Sequence, residues 1–148
     1  MPAEAPHVLV ASDDHAVHDD VDAAVGGPDV VVRHVRAGVE VLPSVLDSIP
    51  DLVILDLQIG NMGGMAVCMN LRLEEGAGRL VHIPTPMLLD RRADVFLAKR
   101  SGADGWLVKP INPIRLRRSV EALLDGGTYH DDTAVPVPIA VPPSGAVG

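Results

Sequence analysis

The sequence predicts an α/β fold: a doubly wound, five-stranded parallel sheet of (βα)5 architecture. Three observations predict it. Short apolar runs alternate with segments of helical period along the chain, the pattern of a parallel sheet covered on both faces. Residues 52–55 are wholly apolar, as in strands buried on both sides. Three of the runs end in charge, at Asp13-Asp14, Asp56 and Lys109. The crevice beyond the carboxyl ends of such strands is where open parallel sheets bind ligands.

Residues 7–11 read as the first strand. Val17, Val21, Ala24 and Val25 then recur at helical spacing, and Gly26-Gly27 closes that helix. Residues 29–32 give a β-branched second strand. Val39, Leu42, Leu46 and Ile49 form an apolar stripe in which Pro43 is tolerable only near the helix start, and Pro50 ends it. Residues 51–55 are the third strand, residues 60–64 a Gly-rich loop, and Met65, Cys68 and Leu71 open the third helix. A fourth strand lies within residues 81–89, disturbed by Pro84 and Pro86. A helix over residues 92–101 closes at Gly102, and residues 105–108 form the fifth strand. Asn112-Pro113 starts the last helix as a cap followed by Pro in the first turn, with Leu116, Val120, Leu123 and Leu124 inward.

Three regions result: an N-terminal extension (1–6), one domain (7–125), and a Pro/Gly/Ala-rich tail (126–148) expected to be flexible. At 148 residues and 15.6 kDa the chain has room for one domain with a proper core and not for two. Aromatic residues are only 2%, so aliphatic side chains must build that core, with Phe96 and Trp106 as isolated large fillers. A net charge of −8 disfavours direct nucleic-acid binding, which normally needs a basic surface. A lone cysteine, Cys68, allows no intrachain disulfide. Neither a leader nor a stretch of about 20 apolar residues is present, so no membrane role is expected and a cytoplasmic location is.

Three carboxylates and one ammonium in one crevice suit a hard divalent cation and a phosphoryl group. The alternative reading makes the acids helix caps, which strand-to-helix turns favour anyway. A different aspartyl phosphotransfer fold would need a second Asp two residues after Asp56, where Gln58 stands.

The segments VLVASDD, DLVILDLQIGNMGG and GADGWLVKPI, in that order and at these separations, resemble the signature segments of the receiver (CheY-like) domain of two-component response regulators, a flavodoxin-like (βα)5 fold. The likeness covers about residues 6–125. It implies that Asp56 accepts a phosphoryl group from a phosphohistidine on a sensor histidine kinase or phosphotransfer protein. It also implies that Mg²⁺ is held by Asp13, Asp14, Asp56 and the backbone carbonyl of Gln58, that Lys109 contacts the phosphoryl oxygens, and that Lys109-Pro110 is cis. Such a domain is not a turnover enzyme. It signals to a protein target, here unknown, and the family's usual dimer or partner surface is the face of the fourth helix, fifth strand and fifth helix.

The chain departs from the family pattern at the switch. Receivers carry a Thr or Ser at the end of the fourth strand; here the position falls on Met87 or Leu89, and neither can donate to a phosphoryl oxygen. Trp106 stands where the family places a switching Tyr or Phe, and is as readily an ordinary filler. Gly60 and Gly63 replace the Pro and Asp of the loop after the acceptor, which should loosen it. Two functions follow: a phosphorylatable receiver with an altered switch, or a phosphorylation-independent interaction module. His15 and His18 are spaced for a transition-metal site but more simply form a solvated helix face. Arg91, Arg92, Lys99, Arg100, Arg115, Arg117 and Arg118 cluster on the last two helices, either as a partner surface or as a solvated basic face.

Overall fold

Alternation of side chains every two residues decides the layers of this molecule. The computed structural model describes residues 5–131. Its strands are β1 (His7–Ala11), β2 (Val31–Val35), β3 (Leu52–Asp56), β4 (Pro86–Leu89), β5 (Gly105–Val108) and β6 (Tyr129–His130). Its helices are α1 (His15–Val25), α2 (Val41–Asp47), α3 (Gly64–Gly76), α4 (Val95–Ser101) and α5 (Pro113–Leu124). All strands are parallel, in the order β2-β1-β3-β4-β5-β6. Leu9, Ala11, Val53, Leu55, Met87, Leu89 and Trp106 fall on one face, packed with Val41 and Val45 of α2, Cys68 and Leu71 of α3, and Ala98 of α4. Val8, Val10, Leu52, Ile54, Leu88 and Leu107 fall on the other, beneath Val17 and Val21 of α1 and Leu116 and Val120 of α5. The four apolar residues of β3 are fully buried, each contributing about 1.5–3 kcal/mol, so this strand anchors the sheet.

The doubly wound parallel sheet is the one expected, with one strand more. Beyond α5, in the segment expected to be flexible, residues 129 and 130 pair with β5 and Asp131 is buried. Asp131 accepts from Val108 N, donates its own N–H to the Trp106 carbonyl, and lies 3.8 Å from Arg115. Residues 132–148, the rest of the expected tail, lie outside the described residues.

Several local readings are corrected. β2 lies later than expected, because Arg33 and His34 interrupt its apolar pattern without interrupting the strand. In α2 the buried residues are Val41 and Val45, and Val39, Leu46 and Ile49 of the expected stripe are half exposed or more. The stripe lies on the neighbouring face of a helix that starts later than its first apolar residue. β4 is only four residues, starting at Pro86, and Val81 is exposed. Phe96 is 58% exposed and fills no core position. The 59–64 loop is pinned where loosening was expected. Gly60 N donates to Asp13 Oδ2, Gly64 N to the Leu57 carbonyl, and Gly38 N and Val39 N to the carbonyls of Gly60 and Asn61.

The start of α5 and the end of α4 follow the sequence, whereas α4 begins only at Val95, after a 3-10 turn over Arg92–Asp94. Asn112 Oδ1 accepts from the N–H groups of Ile114 and Arg115 at 2.9 and 3.0 Å. Gly102 ends α4 at φ 85°, a left-handed conformation that favours glycine. Cys68 is fully buried, and burial pushes its thiol up to about 11, as for an unreactive core residue. Among the described residues no helix is long and apolar enough to cross a membrane.

Candidate functional site

The register of the sheet lines up the carboxyl ends of four strands. Ala11 is level with Leu55, so Ser12 stands next to Asp56; Leu89 is level with Val108, so Asp90 stands next to Lys109. Ser12, Asp56, Asp90 and Lys109 each lie two residues beyond Val10, Ile54, Leu88 and Leu107, which pack on the α1/α5 face. Period two therefore sends all four side chains to the same side.

They meet there. Asp56 is 1% exposed, and protein donors rather than water hold both of its carboxylate oxygens. Its Oδ1 accepts from Lys109 Nζ at 3.0 Å and from Gln58 N at 3.0 Å. Its Oδ2 accepts from the Ser12 hydroxyl at 2.7 Å and from Lys109 Nζ at 3.1 Å. Lys109 Nζ also lies 2.8 Å from Asp90 Oδ1. Burial lowers the Lys109 pKa, but the Asp90 and Asp56 carboxylates outweigh it, and the net direction is upward. Lys109 is thus a cation at any physiological pH. The Lys109-Pro110 peptide bond is cis.

Of the acidic pair after β1, the two members do different things. Asp13 reaches across to the loop, where Gly60 N donates to its Oδ2. Asp14 caps α1, accepting from Ala16 N at 2.9 Å, so for this residue the capping reading describes the geometry. Among the described residues no three His, Cys, Asp or Glu side chains close into a metal-binding cluster. The structure therefore joins Asp56 to Lys109, places Asp13 beside the 60-loop, and turns Asp14 to the helix. Gln58 follows in that loop, its N–H on Asp56.

Met87, Leu89 and Trp106 sit together, but on the opposite face from Asp56, in the cluster covered by α2, α3 and α4. The residue on the site's own side at the end of β4 is Asp90. The Trp106 ring stacks on His130 of β6 at 4.1 Å and 2°, with Lys99 Nζ 5.5 Å from its centroid. This fixes it as a packed residue, and its partner strand takes part of the face expected to meet other proteins.

Ser12 and Asp90 were not among the residues singled out in the sequence. The signal that finds them is strand register: each stands one residue past the end of a strand, level with Asp56 or Lys109 on its partner. The histidines divide as well. His15 is exposed and pairs with Asp19. His18 is 2% exposed, against the expected solvated face. Its Nε2 donates to the Ser12 carbonyl at 2.7 Å and its ring lies against His34 at 4.6 Å. Burial lowers its pKa, so a neutral ring braces the Ser12 backbone behind the site.

A buried carboxylate with both oxygens held by donors has the chemistry of a positioned nucleophile, and an adjoining ammonium can neutralise a second anionic group. The response regulator receiver domain family matches residues 8–121. The DNA-binding response regulator MtrA of Mycolicibacterium paratuberculosis is 33% identical over 119 residues, covering 79% of this chain and 50% of MtrA. The chain thus spans about half the length of the curated relatives it matches. Among solved structures, the signal receiver domain of a signal transduction histidine kinase from Syntrophus aciditrophicus superposes with TM-score 0.72 at 26% identity, covering 93% of this chain and all of that one. The chemotaxis response regulator CheY4 of Vibrio cholerae shares the fold, with TM-score 0.70, 24% identity, and coverage of 78% and 96%.

Proposed function

This chain belongs to the response regulator receiver domain family, and from that membership we propose that Asp56 is its phosphoryl acceptor in two-component signalling. The observation that carries the reading is the Asp56 carboxylate itself, buried, ion-paired with Lys109 and oriented by Ser12 and Gln58 N–H. An Asp56 oxygen attacks the phosphorus of a phosphohistidine on a sensor histidine kinase or phosphotransfer protein. The O–P bond forms, the P–N bond breaks, and the imidazole leaves with the electron pair. Lys109 holds the arriving phosphoryl oxygens, and water later returns the carboxylate and inorganic phosphate.

Receivers use Mg²⁺, and the donor set here fits a hard cation: the groups at the crevice are all oxygens beside one ammonium. Asp13, Asp56 and the Gln58 carbonyl would hold it, and Asp14 joins them only if its carboxylate leaves the Ala16 N–H. The ion would neutralise phosphoryl charge. The domain acts as a cytoplasmic signalling module on an unidentified protein target, without turning over an external substrate. A homodimer through α4, β5 and α5 would have to form around β6, which already pairs with β5.

A second reading is a phosphorylation-independent interaction module. One observation favours it: Met87 and Leu89 lack a hydroxyl and are buried on the face away from Asp56. The two readings separate on a mapped adduct. After acetyl phosphate and Mg²⁺, borohydride reduction should mark Asp56 in the digested protein. Failure to mark any residue, with a cognate-type kinase donor as well as acetyl phosphate, would leave the interaction module standing.

A further inference from the structure

We propose that Asp90 reads the phosphorylation state of Asp56: it is held by Lys109 while Asp56 is bare and is expelled by the phosphoryl group, taking over the part of the missing switch hydroxyl. The inference rests on the acceptor reading of Asp56 and concerns how the same site transmits its state.

Donor counting comes first. An ammonium has three N–H donors and no acceptor. In this structure Lys109 Nζ has three carboxylate oxygens in contact, Asp56 Oδ1 at 3.0 Å, Asp56 Oδ2 at 3.1 Å and Asp90 Oδ1 at 2.8 Å. No N–H is left for an incoming group. When an Asp56 oxygen becomes an acyl phosphate, the single charge of the carboxylate gives way to about −1.5 to −2 on the phosphoryl oxygens, farther out from β3. Lys109 then has a new anion to hold in the space where the Asp90 carboxylate stands. Asp90 already shares this ammonium with the Asp56 carboxylate, and the larger charge of the phosphoryl group at hydrogen-bond distance raises the repulsion on it.

Asp90 is the partner able to leave. Its side chain is 48% exposed, whereas Asp56 is 1% exposed, so Asp90 can exchange its ion pair for water at small loss. Its departure has a path to the surface. Asp90 is the first residue after β4, and the turn that follows is tied together by Arg91, which donates to the buried Asp94 carboxylate at 2.9 Å. That turn leads directly into α4. Arg92 in the same turn donates to the Asp131 carbonyl at 3.0 Å, linking it to β6. A family switch pulls a hydroxyl toward the phosphoryl group, whereas here charge repulsion pushes a carboxylate away. Both outcomes move the β4–α4 turn, and only the second is open to a chain with Met87 and Leu89 at the end of β4.

The test uses the full chain with Mg²⁺ and beryllofluoride, comparing wild type, Asp90→Asn and Asp90→Glu by amide NMR, together with the rate of adduct formation from acetyl phosphate. In wild type, signals should move at Asp56 to Gln58, at Lys109, and also through Asp90 to Val95. Asp90→Asn keeps the shape and removes the charge. It should retain the shifts at Asp56 and Lys109, lose those at Arg91 to Val95, and accept the phosphoryl group about tenfold faster, the size of one unit charge removed at this range. Asp90→Glu should behave as wild type. Equal rates and equal shifts at Arg91 to Val95 in wild type and Asp90→Asn would overturn the inference while leaving Asp56 as acceptor. No shift at Asp56 and no adduct in either protein would overturn the acceptor reading, and this inference with it.

Discussion

Ser12→Ala is the most informative single change at this site. The Ser12 hydroxyl donates to Asp56 Oδ2 at 2.7 Å and accepts from Asp14 N at 3.0 Å, and the residue is fully buried. A hydrogen bond to a charged group is worth about 1.5–3 kcal/mol, and water cannot replace it in a site this closed. Lys109 still holds the same carboxylate oxygen at 3.1 Å, which keeps the loss from the upper end. We expect a destabilisation of about 2 kcal/mol, a fall in Tm of roughly 6–10 °C for a domain of this size. Calorimetry at neutral pH without divalent cations measures it. The same substitution in an Asp56→Asn background completes a double-mutant cycle, and the coupling between the two sites should exceed about 1 kcal/mol. A Tm within about 1 °C of wild type, or additive single changes, would refute the claim that Ser12 orients Asp56.

Three other outcomes follow from the same geometry. In Gly38→Ala a Cβ would lie 1.8 Å from the Met62 carbonyl oxygen and 2.7 Å from that of Asn61; the loop beside Asp56 must shift, at about 1–3 kcal/mol or more by denaturant melting, and an unchanged midpoint would show that the 38–62 contact is slack. In Gly105→Ala the Cβ would lie 2.3 Å from the Tyr129 carbonyl oxygen, so hydrogen exchange should show β6 lost and Trp106 fluorescence should report the loss of His130, with β1 and β3 still protected. His82 lies between Glu75 at 2.8 Å and Asp104 at 2.9 Å; burial lowers its pKa, but the two carboxylates outweigh this and raise it above 6.5. A raised folded-state pKa means stability fully present below 6.5 and lost as pH rises through the folded value. His82→Gln should therefore cost less than about 1 kcal/mol at pH 5.5, discounted for a side chain 55% exposed, and nothing by pH 8.5. A cost that grows with pH would reverse the assignment.

The parts of this fold that were legible in the sequence are those where one residue type suffices. Residues 7–11 and 105–108 are mainly apolar runs of strand length, too short for a helix, and Asn112-Pro113 starts a helix by its own chemistry. Asp56 and Lys109 were legible because three apolar segments ending in charge, Asp13-Asp14, Asp56 and Lys109, follow one another in one order and at matching separations. What the sequence hid depends on neighbours distant along the chain. The face of α2 was misread because Val41 and Val45 pack inward while Val39 and Leu46, as apolar as they, do not. β6 has two residues in a Gly/Pro-rich stretch and exists only because the β5 edge accepts it. Ser12 looks like a turn residue and Asp90 like part of a charged loop with Arg91 and Arg92. Only the register of β1 on β3 and of β4 on β5 sets them beside Asp56 and Lys109. The separation of Asp13 from Asp14 is local in origin: the second acid of the pair falls at the cap of α1.

The central claim is that Asp56 takes a phosphoryl group. Intact-mass spectrometry after acetyl phosphate and Mg²⁺, on wild type and Asp56→Asn side by side, tests it most directly. The account predicts a single phosphoryl adduct on wild type, lost on treatment with hydroxylamine as an acyl phosphate must be, and none on Asp56→Asn. An adduct of equal yield on both proteins would place the acceptor elsewhere and contradict it.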